Sequence, residues 1–329
     1  MKYVGLEMQQ ERNNRRSVFL LCCFPLLVLA LTFIACYVWG VGAVPSAMGE
    51  DGSAVPQESP LVLAMDCFTQ AAPWVTGGVA LWFFIAFFAN TAIINAATGA
   101  KPLERKDNKR VYNLVENLCI AGGISMPRVQ IVEDPGLNAF ASGIGESSYT
   151  VTLTRGIIDA LDDEELEGVI AHELTHIRNH DVRVLIISIV FVGIFAILAE
   201  LCARLAWFCA RSSGRSRGKG NAVALGIALG LLFIALLAFI GYCASILMRF
   251  AISRNREYMA DAGGASLTKK PWALARALRK ISGNSEVSSV HEASVQQLFI
   301  EHGDGSGFFN RLFATHPPIG DRIAVLENV

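Results

Sequence analysis

Charge is scarce in this chain. Of its 329 residues only 17% are Asp, Glu, Lys or Arg, where an ordinary soluble domain carries about 25%. That shortage excludes an ordinary soluble domain. Disorder is excluded as well, because disordered chains are polar and highly charged, whereas 53% of these residues are hydrophobic. A surplus of positive charge is also lacking: the formal net charge is −1, so there is no global basic field of the kind that nucleic acid selects. The eight cysteines lie mostly inside apolar runs and show no paired metal-ligand spacing. This argues against a disulfide framework and against a cysteine zinc ribbon. No internal repeat is present. The composition points to a membrane protein carrying a polar domain.

Four apolar runs are present, at residues 18–44, 73–97, 184–199 and 222–248. A bilayer crossing needs about 20 apolar residues. The first run exceeds the apolar core of about 7–15 residues in a signal peptide, so it reads as a signal anchor. Small residues after Ala43 leave a cleaved signal as the alternative. The third run is short and ends at Glu200, which Arg204 can neutralise one helical turn later. Gly226 and Gly230 form a GxxxG pattern, read either as close helix packing or as ordinary glycine abundance in a membrane helix.

Basic residues set orientation. Lys2, Arg12, Arg15 and Arg16 precede the first run, and Lys101, Arg105, Lys106, Lys109 and Arg110 follow the second. No Lys or Arg lies between those two runs, where Glu50, Asp51, Glu58 and Asp66 stand instead. The N-terminus and residues 99–182 are therefore expected in the cytoplasm, with 45–72 outside. Arg211, Arg215, Arg217 and Lys219 join the third and fourth runs. Full crossing by both runs would place this basic loop outside, so a re-entrant hairpin is the alternative.

The polar segments read as follows. A helix within 101–128 is expected before a Gly/Pro turn, then a strand at 129–132. Residues 137–141 and 149–154 are expected to form a hairpin through a turn at 145–148. Asp162, with Glu165 three residues on, reads as a capping box opening a helix. A second helix continues from the fourth run through Glu257 and Asp261. An amphipathic helix follows at 272–281, then a Gly/Ser-rich mobile loop at 283–307 and a short C-terminal helix.

The chemistry gathers in His172-Glu173-Leu174-Thr175-His176. Two histidines four residues apart project from one helix face and suit a single zinc ion. Glu173, angled away from the metal axis, suits a general base. Hydrolytic zinc needs a third protein ligand and an open position. The extension HExxHxxGxxH fails, since Asn179 and Val182 occupy the expected positions. His180 reads as a structural or membrane-interface residue. Glu257 is the better candidate, with Asp261 one turn later. By residue chemistry alone, Glu257 is equally well a solvated helix face beside Arg254 and Arg256.

Four motifs occur in order: Asn138-Ala139-Phe140-Ala141, the stretch from Leu166 through His176, Glu257-Tyr258 with Asp261, and Thr315-His316-Pro317-Pro318. Together they resemble the HtpX-type membrane zinc metallopeptidases, related to the CAAX prenyl endoproteases. The resemblance covers about residues 75–329. It implies His172, His176 and Glu257 as zinc ligands, Glu173 as general base and Asp261 as partner of a ligand histidine. It places Asn138 and His316 towards substrate or oxyanion.

The expected fold class is α+β and mostly helical: an integral membrane protein with about four apolar helices and a cytoplasmic zinc-peptidase domain containing a small β-sheet. The expected divisions are 1–98, a two-helix transmembrane region; 99–182 and 253–329, the two halves of the peptidase domain; and 183–252, a membrane hairpin. One Zn2+ per chain is expected. The resemblance implies endoproteolytic quality control of misfolded or damaged membrane proteins in response to stress; size and family point to the bacterial inner membrane, with a eukaryotic organelle membrane as the alternative. Polypeptides and the lipid bilayer are the expected partners, nucleic acid is not, and a homo-oligomer stays open. The 149–154 strand is one candidate peptide-docking edge; sheet core is the other reading. The rival functions are a CAAX-type prenyl-protein protease, a group generally longer with more spans, and a zinc-stabilised scaffold, which would need no Glu173. A transporter would need charges within its long spans.

Overall fold

The structure is a computed structural model and describes residues 6–43, 59–213, 219–282, 284, 287, 299–300 and 317–328. The chain divides into two compact units. One gathers residues 1–17, 86–189 and 248–329, and the other gathers 18–85 and 190–247.

Four long helices run through both units, α1 (Leu6–Ala43), α2 (Pro60–Thr98), α6 (Asp181–Ser213) and α7 (Lys219–Thr268), and the second unit is made of their segments within 18–85 and 190–247. Three helical stretches among the described residues are long and apolar enough to cross a membrane: Glu11–Val41, Pro60–Thr98 and Asp181–Arg211. The fourth expected run lies in α7, where the apolar stretch described is Ala228–Cys243. α1 and α2 touch backbone to backbone, since a Cβ on Gly40 would stand 2.7 Å from the Pro60 carbonyl oxygen. Phe24 meets Phe83 and Phe195 edge-on, with centroids 5.7 and 5.1 Å apart. Trp74, Phe84, Trp207 and Phe208 are exposed, an arrangement suited to hydrocarbon rather than water. Glu200 and Arg204 pair on the surface of α6. Gly226 and Gly230 have no atom within 4 Å of an added Cβ among the described residues, so close packing is not seen at that GxxxG.

The first unit holds a four-stranded sheet in the order β1-β2-β4-β3. Its strands are β1 (Lys101–Pro102), β2 (Arg128–Val132), β3 (Ala139–Ser142) and β4 (Thr150–Thr154). β3 and β4 form the expected antiparallel hairpin, with Ala141 opposite Val151. β4 also pairs in parallel with β2, Gln130 opposite Thr152. That second ladder overturns the reading of 149–154 as a docking edge: β4 is paired on both sides, and all five of its residues are buried. The outer strands are β1 and β3.

Helices cover this sheet. α3 (Lys109–Gly122) starts at Asn108, whose side chain caps Val111 N–H, and ends at Gly123, whose φ of +62° closes the last turn. α4 (Arg155–Ala160) follows β4 directly. α5 (Asp163–Arg178) opens with the full capping box: Asp162 accepts from Glu165 N–H and Glu165 accepts from Asp162 N–H. α8 (Pro271–Ile281) buries Leu274, Leu278 and Ile281 and packs on α5. That approach is close, because a Cβ on Gly168 would lie 3.1 Å from Leu274 Cα. α9 (Ile319–Glu327) packs on α8. α7 runs unbroken for 50 residues, from the fourth apolar run through Glu257 and Asp261.

Candidate metal centre

Two helices bring the site together. α5 supplies His172 and His176, which face the same way because four residues span about one helical turn. α7 supplies Glu257 and Asp261. The two helices approach through glycines: a Cβ on Gly264 would stand 3.1 Å from His172 N, and one on Gly263 would stand 2.3 Å from Thr175 Cγ2. Larger residues there would push Glu257 and Asp261 away from the histidines.

The Nε2 atoms of His172 and His176 lie 3.2 Å apart. Glu257 Oε2 is 3.7 Å from His172 Nε2, and Oε1 is 3.6 Å from His176 Nε2. Tetrahedral ligands at about 2.0–2.1 Å from zinc stand roughly 3.3 Å from one another. The three side chains therefore fit one ion of zinc's size, and two imidazoles with a carboxylate form a donor set that zinc accepts. Three protein ligands leave a fourth position open, as catalysis requires.

Each imidazole presents its other nitrogen to a carboxylate. His172 Nδ1 is 2.9 Å from Asp261 Oδ1, and His176 Nδ1 is 3.1 Å from Asp181 Oδ2. Carboxylates so placed can orient an imidazole and leave its Nε2 for a metal. Asp261 is itself gripped by Arg322 of α9. Arg322 is wholly buried, and its Nη1 also donates to the Ile300 carbonyl at 3.2 Å.

Burial alone would disfavour the charged form of His172, but Asp261 and Glu257 outweigh it and lift its pKa to about 9 in the metal-free site. Burial likewise opposes the ionised form of Asp261, yet Arg322 and His172 hold its pKa down to about 2. The Glu173 carboxyl is pushed up by burial, against the pull of His172 and His176. A carboxylate raised in this way is a stronger base.

The remaining sequence candidates are placed differently. Asn138 is buried at the start of β3, and its Oδ1 accepts from Ala139 N–H at 3.0 Å and Ile300 N–H at 3.1 Å. His316 lies outside the described residues, as does most of 283–307. His180 makes the joint between α5 and α6 in the left-handed conformation, φ 59°. Sequence reasoning missed Asp181 and Arg322. The available signals were an acid five residues beyond His176, and an arginine in the short helix just after the His-Pro-Pro motif.

Residues 105–329 match Peptidase family M48. The chain belongs to that family. The Protease HtpX homolog of Bacteroides fragilis is 52% identical over 332 residues, spanning 99% of both chains. The Protease HtpX homolog of Tropheryma whipplei is 41% identical over 246 residues, 74% of this chain and 81% of that one. The crystal structure of S. mikatae Ste24p is 20% identical with a TM-score of 0.49, and the match covers 80% of this chain and 60% of that one. This M48 peptidase is a membrane-bound protease, and its family implies a metal. Its substrates are polypeptides.

Proposed function

We propose that His172, His176 and Glu257 hold one zinc ion per chain, and that Glu173 is the general base of peptide-bond hydrolysis. The convergence of two Nε2 atoms and the Glu257 carboxylate at tetrahedral spacing carries this reading. A zinc ion held there would lower the pKa of a bound water and polarise the scissile carbonyl. Glu173 takes the proton as the hydroxyl oxygen joins the carbonyl carbon. It then returns the proton to the amide nitrogen as the C–N bond breaks. Asp261 and Asp181 hold the two imidazoles in register through both events. Asn138 and His316 are assigned towards substrate or oxyanion on the family resemblance alone.

The substrates are read as misfolded or damaged membrane proteins, cleaved at the cytoplasmic face of a bacterial inner membrane. Two things support this placement: the basic residues at 101–110 and the position of α5 directly before the apolar α6. The test is cleavage of unfolded casein by detergent-purified protein, with and without a chelator. Wild type should cut and the chelator should stop it. Glu173→Gln should be inactive while still holding zinc, and Glu257→Ala should lose both. Full activity in Glu257→Ala would remove Glu257 from the ligand set. Cutting by Glu173→Gln at the wild-type rate would remove the general base.

A further inference from the structure

We propose that Asn13, at the start of α1, is a positioning residue of the metal site, acting through Asp181 on His176. The proposal rests on the metal-site reading above. Asn13 precedes the first apolar run, is fully buried, and lies in the same compact unit as the site. Its Nδ2 donates to Asp181 Oδ1 at 2.7 Å and to the Asn179 carbonyl at 2.8 Å. The other oxygen of Asp181 meets His176 Nδ1 at 3.1 Å. One carboxylate thus bridges an amide donor and a candidate ligand imidazole.

The chemistry of the groups fixes the direction of this relay. A flipped Asn13 amide would turn its oxygen onto a carboxylate and a carbonyl, two acceptors. The amide must therefore donate, even though Oδ1 is left buried with no hydrogen-bond partner among the described residues. An ionised carboxylate only accepts. The proton between Asp181 and His176 accordingly sits on Nδ1, leaving the Nε2 lone pair for the metal. Without Asn13, Asp181 Oδ1 would lack that donor in a dry site, and the carboxylate would be free to rotate away from His176.

The surroundings are built for this one contact. His180, at φ 59°, pays backbone strain to bring Asp181 back towards His176. Asn14 secures the same joint with no hydrogen bond to Asp181 among the described residues: its Oδ1 is 3.0 Å from His180 Nδ1 and accepts from Arg183 Nη1 at 3.2 Å. Arg256, next to Glu257, donates from Nη1 to the Asp181 carbonyl at 3.3 Å. Asn13 and Asn14 therefore separate two roles, aiming a ligand and docking the α1 terminus.

The experiment uses the full chain in detergent. Zinc affinity is measured by chelator competition, ligand geometry by the visible absorption of the Co2+-loaded protein, and folding by the melting temperature of the metal-free form. Asn13→Ala should weaken zinc binding by roughly tenfold, the lower end for groups that orient metal ligands, and should alter the Co2+ spectrum. Asn13→Asp, which sets two carboxylates together, should weaken it further. Asn14→Ala should keep the wild-type zinc affinity and spectrum. In an Asp181→Ala background, Asn13→Ala should add nothing, because the relay is already cut. If Asn13→Ala and Asn14→Ala give the same zinc affinity and spectrum, whether normal or impaired, Asn13 only docks the helix and the proposal is overturned. Additive losses in the double variant overturn it too. If wild type takes up no stoichiometric zinc, or Glu257→Ala binds zinc as tightly as wild type, the metal-site reading itself fails and carries this proposal with it.

Discussion

Arg322 grips Asp261 with a two-point fork, Nε to Oδ2 at 2.9 Å and Nη2 to Oδ1 at 2.8 Å, and both side chains are buried. The same guanidinium stands 3.7 Å from Glu257 Oε2. One cation therefore offsets two carboxylates on α7 and keeps Asp261 aimed at His172.

Removing that cation should be severe. Arg322→Ala leaves a buried carboxylate uncompensated, and breaking such a pair costs about 3–5 kcal/mol. Arg322→Lys keeps the charge but not the planar fork. It should recover most of the stability and little of the zinc affinity. Thermal melts alongside chelator competition separate the two effects.

The raised pKa of His172 gives the metal-free protein a defined pH response. A group whose pKa rises from 6.5 to about 9 on folding contributes stability in full below pH 6.5. That contribution is lost as pH climbs through about 9. The melting temperature of chelator-treated protein should fall across this window. On the proposed ligation zinc displaces the same proton, so its apparent affinity should rise about tenfold per pH unit up to about pH 9 and then level off. Titrations at four pH values would show either trend or its absence.

The glycine contact between α5 and α7 should tolerate no side chain. Gly263→Ala drives a Cβ to 2.3 Å from Thr175 Cγ2, and overpacking of this kind costs about 1–3 kcal/mol. Gly230→Ala, with nothing within 4 Å of its Cβ, should melt no lower than wild type. Melting temperatures of the two variants should differ by several degrees.

Asp162→Ala should cost about 1 kcal/mol through loss of the helix cap. The cap sits at the opposite end of α5 from His176. Stability should therefore drop while zinc affinity at saturating fold stays put, a combination that denaturant melts and metal competition can check together.

What the sequence made legible was local. The capping box at Asp162, the i,i+4 histidines and the 272–281 helix depend on neighbours within a turn or two, and each appears where its spacing places it. α4 escaped notice because six residues carry too little periodicity. The central position of β4 was hidden for a different reason: its parallel partner β2 is separated from it by the whole of β3, and sheet order is not written in strand pattern. The same holds at the site. Glu257 and Asp261 announce themselves through a motif. Asp181 acquires its meaning from His176 and from Asn13, 168 residues away, and Arg322 from Asp261, 61 residues away. Such pairings are made by packing and leave no periodic trace.

The placement of Arg322 also orders events during synthesis. The residue that steadies Asp261 is made 150 residues after His172. While the ribosome is still adding that stretch, the histidines and Glu257 exist but their supporting cation does not. Until then the proposed ligand set stands without the cation that offsets Asp261 and Glu257. Arg322 reaches Asp261 from α9, which packs on α8, so the carboxylate network closes only once that helix is in place.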